Sequence, residues 1–293
     1  MRISLSGGRL GPLLVVLAAC LWGTTGIGAR LSYGFGATPE EILSLRLALM
    51  VPIYVALSMV RRASLSSHVI VAVIGVAVMG PFHLTYYYAV KYVGVSTASL
   101  LLYTHPVLVV FLSKFFLREN ITARTYTALA LSVLGATLVS FGDLGYDPLG
   151  LALAVASSIF FALYIVSSKA ALLRGASPDM VAIGTAAWAF PPIYMFHSLM
   201  RGPALPTSRE ILAIATYLAV FVTAIAYFLY MVGMKNVGAS RATVLSTAEP
   251  LTATILSHII FSEPITLLKI SGSVLIVTAV LVIATESERL ASA

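Results

Sequence analysis

The sequence predicts an all-α polytopic membrane protein, with ten transmembrane helices arranged as two inverted five-helix repeats around a central cavity and both termini cytoplasmic. Three observations predict it. The 293 residues are 59% hydrophobic and only 10% charged, with a mean hydropathy of +0.99, whereas an average soluble domain carries about 25% charged residues. Polar and Gly/Pro breaks divide the chain into ten apolar stretches of about 20 residues, the length that crosses about 30 Å of hydrocarbon at 1.5 Å per residue. Finally, a long segment of the first half is written again in the second.

The stretches lie near 10–31, 40–60, 68–90, 96–117, 123–142, 149–172, 178–200, 210–234, 241–262 and 265–285. Each is expected to be helical, because inside hydrocarbon a segment must satisfy its own backbone N–H and C=O groups. The connections are too short for a soluble domain. The first stretch follows Arg2 and Arg9, is long enough to span and lacks a convincing small-residue cleavage site, so it reads as a retained helix. The single cysteine, Cys20, falls within it, which excludes an intramolecular disulfide or a cysteine metal cluster. The net charge of +7 is dispersed over helix ends instead of forming a patch, so no nucleic-acid partner is expected. With the N-terminus inside, twelve of the 18 basic residues fall on inner connections and helix ends. Five fall outside (Arg30, Lys91, Arg201, Arg209 and Lys269) and Arg46 lies within its helix. That bias places both termini in the cytoplasm.

The repeat is clearest where "KYVGVSTASLLLYTHP" (Lys91–Pro106) returns as "KNVGASRATVLSTAEP" (Lys235–Pro250), identical at seven of 16 positions. An offset of 144 aligns His83 with Tyr227, Tyr86 with Tyr230, Gly94 with Gly238, Pro106 with Pro250 and Glu119 with Glu263. Upstream, an offset of 139 aligns Gly11 with Gly150, Arg30 with Lys169, Gly36–Pro39 with Gly175–Pro178 and Pro52 with Pro191. The expected units are 1–145 and 146–293. Five is odd, so the second unit enters the membrane from the opposite side, the inverted repeat of an alternating-access carrier. Arg241 replaces Thr97 because its turn falls inside, where positive charge is favoured.

"CLWG" at Cys20–Gly23, "RENIT" at Arg118–Thr122, "SEPIT" at Ser262–Thr266 and a proline in the fourth helix of each half resemble the drug/metabolite transporter superfamily with paired EamA-type domains. The resemblance covers nearly the whole chain. It implies ten helices, a central substrate cavity and export of small metabolites from the bacterial inner membrane. Within that superfamily, the aromatic-rich third, fourth and eighth helices are similar to the bacterial aromatic amino-acid exporters of the YddG type.

Candidate site residues follow from helical spacing and from the proline breaks. Met79, His83, Tyr86 and Val90 form one stripe, and Thr223, Tyr227, Tyr230 and Met234 repeat it. His83, Tyr86, Tyr87, Tyr227 and Tyr230 are candidates for cavity lining, since His and Tyr at depth need polar partners. A helix–helix contact or an aromatic belt is the alternative, and it is the reading for Tyr88 and Tyr92. Pro106 and Pro250 each free a backbone carbonyl at matching positions of the two halves, which points to a transport site; the alternative is a plain helix kink with no ligand nearby. Around them lie Ser99, Tyr103, His105, Thr243, Thr247 and Glu249, and Trp22 and Trp188 are candidates for the same cavity. Glu249 is the one carboxylate placed well inside a span. It could exchange a proton, attract a substrate ammonium, or hydrogen-bond across helices; His105 stands opposite it in the repeat. Arg46 could bind a substrate carboxylate, but the adopted reading is that it snorkels toward Glu40 and Glu41.

No cofactor or metal is expected, because His68, His197 and His258 sit near helix ends without ligand spacing. An intramembrane enzyme is not expected either. "SFGD" at Ser140–Asp143 falls short of an aspartyl-protease motif, and no nucleophile elbow or phosphate loop is present. The expected function is export of small organic metabolites, foremost aromatic or large neutral amino acids. Lipophilic cationic drugs are the alternative cargo and a channel-like facilitator the alternative mode. The partners are the substrate and the lipid bilayer; the sequence does not specify an oligomeric state.

Overall fold

The computed structural model describes residues 10–61, 64–140, 146–205, 208–262 and 264–292. Arg2, Arg9, Arg62, Asp143, Glu263 and the repeat boundary at 145 lie outside them. The first repeat holds α1 (Leu10–Trp22) and α2 (Thr25–Gly34), then α3 (Pro39–Ala48) and α4 (Met50–Arg61). It continues through α5 (Leu65–Ile74), a π-helical segment (Gly75–Met79), α6 (Gly80–Leu102), α7 (His105–Phe116) and α8 (Ala123–Ser140). The second holds α9 (Pro148–Leu173), α10 (Pro178–Arg201), α11 (Arg209–Tyr217), a π-helical segment (Leu218–Ile225) and α12 (Ala226–Val237). It ends with α13 (Ala239–Ser246), α14 (Glu249–Phe261) and α15 (Leu267–Ser292).

Eight helical stretches are long and apolar enough to cross a membrane, beginning at Leu10, Pro39, Leu65, Thr97, Pro148, Arg209, Ala239 and Leu267. The two other predicted spans are occupied by α8 and α10, which are helical over 18 and 24 residues but fall outside that set. Their sequences explain the difference. An Ala-Arg-Thr-Tyr-Thr start dilutes α8, and Asp179, Thr185, His197 and Arg201 dilute α10.

The two repeats interlock. The most extensive contacts include α6 with α9 and α1 with α12, so the first span of each half lies against the third span of the other. The fifth spans meet as α8 against α15, where Gly135 and Gly272 bring two backbones together. A Cβ on Gly272 would stand 2.5 Å from the Gly135 carbonyl oxygen. Lipid offers little hydrophobic drive for helices to associate, so close packing through small residues supplies much of the adhesion.

Proline sets the mid-membrane breaks. Pro106 and Pro250 sit in the first turns of α7 and α14, after turns at Tyr103–Thr104 and Thr247–Ala248. Each ring excludes the carbonyl four residues back. The Leu102 carbonyl freed in this way accepts a hydrogen bond from His105 Nδ1 at 2.8 Å. Two further breaks use glycine: Gly94 (φ 78°, ψ 167°) and Gly238 (φ 91°, ψ 161°) share a conformation that a side chain would strain.

Candidate functional site

Leu102 and Tyr103 before one proline break, and Glu249 and Pro250 at the other, line two adjoining cavities. The larger, about 110 Å³, runs from Trp22, Tyr86, Tyr103 and Glu249 to Arg30, Phe261 and Lys269 at the end of the bundle opposite the chain termini. Ser99 and Pro250 also line it, and Tyr86 and Ser99 hydroxyls lie 3.2 Å apart. The inner chamber, about 30 Å³, is lined by Trp22, Thr25, Arg46, Phe82, His83, Tyr86, Tyr87, Leu102, Phe161, Tyr227 and Glu249. Trp22, Tyr86 and Glu249 belong to both walls and form the partition. Gly23 lets the partition close, since a Cβ there would meet the Glu249 carbonyl oxygen at 2.7 Å.

Aromatic rings build the chamber around two hubs. Trp22 packs on Tyr227 and Tyr230, each 4.9 Å between ring centroids, and edge-on to Phe161 at 6.0 Å. Phe161 stacks on Phe82 at 4.6 Å and meets His105 edge-on at 4.7 Å. Among the described residues, Trp22 Nε1, Tyr230 Oη and His105 Nε2 are buried without a hydrogen-bond partner. Buried polar atoms are rarely left so; of these three residues Trp22 lines both cavities, whereas Tyr230 and His105 line neither.

Arg46 corrects its sequence reading. It does not snorkel: Glu40 is engaged by Arg201 Nε and Tyr88 Oη, both at 2.9 Å, and Glu41 accepts from the Thr38 N–H at 2.7 Å. Arg46 points inward, donating from Nε to Thr223 Oγ1 at 2.6 Å and from Nη1 to Tyr87 Oη at 3.0 Å. His83, beside it in the chamber wall, must donate from Nδ1 to the Met79 carbonyl, 3.0 Å away, because a carbonyl only accepts.

Other candidates land elsewhere. Trp188 is 38% exposed and lines neither cavity; its backbone packs against Gly75. Thr247 is buried with its hydroxyl bonded to the Val244 carbonyl at 2.6 Å. Tyr230 backs Trp22 from behind the wall, and His105 and Pro106 stand outside both linings. The repeat asymmetry therefore has a structural basis: His105 turns back to satisfy the carbonyl freed by Pro106, whereas Glu249 faces the cavities with no hydrogen bond among the described residues. Phe82 and Phe161 were missed by the spacing analysis, although Phe161 stands at the offset of 139 from Trp22.

The model of the EamA-like transporter family matches residues 9–141 and again 148–285. The chain belongs to the EamA-like transporter family. It is thus a multi-pass membrane transporter of the drug/metabolite transporter superfamily with two EamA repeats. It is similar to an uncharacterized transporter of Archaeoglobus fulgidus, 24% identical over 92% of this chain and 97% of that one. It is also similar to an uncharacterized inner membrane transporter of Salmonella typhimurium, 25% identical over 97% and 98% of the two chains. A crystal structure 22% identical superposes with a TM-score of 0.79, covering 96% of this chain and 98% of that one, and shows the same fold. These relatives name no cargo, and the narrower likeness to aromatic amino-acid exporters gains nothing from them.

At the terminus-side end of this EamA transporter, the Gly238 break is held by Lys169 of α9 and by Glu119 of the connection between α7 and α8. Lys169 Nζ donates to the Met234 and Lys235 carbonyls, at 3.0 and 3.1 Å, where α12 ends. Glu119 accepts from the N–H groups of Ala239 and Ser240, at 2.7 and 3.0 Å, and from Ser240 Oγ at 2.7 Å, where α13 begins. Cation at a helix C-terminus and anion at an N-terminus both suit the peptide dipoles, and the Glu119 cap ties the first repeat to the second. Removing a cap costs about 1 kcal/mol, about fivefold in an equilibrium. Glu119→Ala is therefore expected to lower the melting temperature by a few degrees and to raise labelling of a Val237→Cys probe, in a chain freed of Cys20, by about that factor. Unchanged labelling and melting would reject a latch here.

Proposed function

We propose that this transporter exports aromatic or large neutral amino acids across a bacterial inner membrane by alternating access, with all ten helical stretches crossing and both termini cytoplasmic. The observation that carries the reading is the pair of adjoining cavities, which share Trp22, Tyr86 and Glu249 in their walls and are walled by aromatic rings. Rings recognise rings, and the carboxylate at the partition suits an ammonium group. The inner chamber has room for about two waters, so cargo enters it only when the Trp22 partition moves. On the proposed orientation the larger cavity faces outward and the Glu119 latch closes the cytoplasmic side. The Salmonella relative is likewise named an inner membrane transporter.

Reconstituted protein tests the reading with phenylalanine, tryptophan and alanine supplied one at a time. Tyr103→Ala and Trp22→Ala are each expected to lose several-fold to tenfold in apparent affinity for the aromatic pair, a ring contact being worth about 0.5–1.5 kcal/mol. Alanine transport should change less, and Trp188→Ala, outside both cavities, should behave as the parent. Equal losses for every amino acid would sink the aromatic assignment. Glu249 in both walls also favours a second reading, lipophilic cations, which the same vesicles test with a fluorescent cation.

A further inference from the structure

We propose that Arg46 binds the carboxylate end of the carried molecule, so that the inner chamber selects cargo with a free carboxylate. The proposal rests on the amino-acid reading for the nature of the cargo, and on three separate observations for the site.

The first is a charge with no carboxylate in contact with it. Arg46 is 2% exposed, and its described partners, Thr223 and Tyr87, are neutral hydroxyls. Among the described residues no carboxylate pairs with it. A charge at depth is costly and is kept where it faces protein or a wet cavity that uses it.

The second is that the fold makes the same contact without a charge. The offset of 139 sets Thr185 in the place of Arg46, and the offset of 144 sets Met79 in the place of Thr223. Thr185 Oγ1 lies 3.4 Å from Met79 Sδ, so the second span of each half touches the third span of the other in both copies. One copy does this with a hydroxyl and a thioether. The guanidinium in the other copy is thus not required by the packing.

The third is placement. Thr223 lies in the π-helical segment Leu218–Ile225 and donates its own proton to the Leu218 carbonyl at 2.9 Å. Its oxygen is left to accept from Arg46, which fixes the guanidinium in the chamber wall. Two of the five N–H groups are used by Thr223 and Tyr87, and those remaining present the planar fork that fits a carboxylate at two points. Glu249 in the same wall then takes the ammonium, and Trp22, Phe161 and Tyr227 take the side chain.

Purified protein in detergent, titrated by thermal shift with two probes, separates the outcomes. 3-Phenylpropionate has the ring and carboxylate without the ammonium; phenethylamine has the ring and ammonium without the carboxylate. The variants are Arg46→Gln and the pair Arg46→Thr with Thr223→Met, which copies the neutral contact of the other repeat. 3-Phenylpropionate should bind the parent, and its affinity should fall about tenfold to a hundredfold in both variants, the scale of a lost charged hydrogen bond. Phenethylamine should bind all three proteins alike. An equal 3-phenylpropionate response in the double variant, or none in the parent, overturns the proposal. So does a double variant that fails to fold, because the two contacts would then not be interchangeable. A parent that binds 3-phenylpropionate through Arg46 yet moves no phenylalanine rejects the exporter reading and leaves this one standing.

Discussion

Gly272→Leu is expected to leave little folded protein in the membrane. The added carbon would meet the Gly135 carbonyl oxygen at 2.5 Å, the Val139 nitrogen at 2.8 Å and Leu138 Cβ at 2.9 Å. Two of these are backbone atoms, which cannot step aside as a flexible side chain can, so α15 has to retreat from α8 along their length. Overpacking in a soluble core costs about 1–3 kcal/mol, and separating two helices whose adhesion is contact itself costs at least that much. Gly34→Leu is the control, since no atom lies within 4 Å of the carbon added there. Size-exclusion recovery and melting temperature after detergent extraction read the result. A Gly272→Leu protein that melts with the parent would show that this crossing is not the tight one.

Glu249→Gln is expected to uncouple transport from protons while sparing the pathway. The amide keeps the size of the carboxyl in the shared wall of both cavities and removes its ability to titrate. In vesicles at equal internal and external pH, counterflow of phenylalanine should persist. With an imposed pH gradient, the parent should accumulate or lose substrate against its concentration ratio and the variant should not. A variant that follows the gradient as the parent does removes Glu249 from coupling. A parent indifferent to the gradient makes the protein a facilitator and leaves Glu249 to the substrate ammonium.

What the sequence made legible was periodic or repeated. Apolar length located eight of the stretches, because hydrocarbon thickness dictates it. Pro106 and Pro250 located the mid-membrane breaks, because a ring without an N–H acts on its own helix wherever that helix lies. The stripe through His83 and Tyr86 pointed to the chamber, and both line it. What stayed hidden was direction relative to a neighbour. Helical periodicity gives the angle of Trp188 about its own axis, but the packing of Gly75 against that turn decides which way the angle faces. Arg46 was misread for the same reason. Glu40 and Glu41 were the partners visible along the chain, whereas Thr223, which binds it, lies 177 residues away. The matching of Arg46 with Thr185 was present in the repeat from the start and acquires meaning only once the contact to position 223 is seen.

The contacts of α6 with α9 and of α1 with α12 both cross from one half of the chain to the other. A half made alone would have no partner for those faces, which the other half supplies. Biogenesis therefore cannot finish the first half while the second is still on the ribosome.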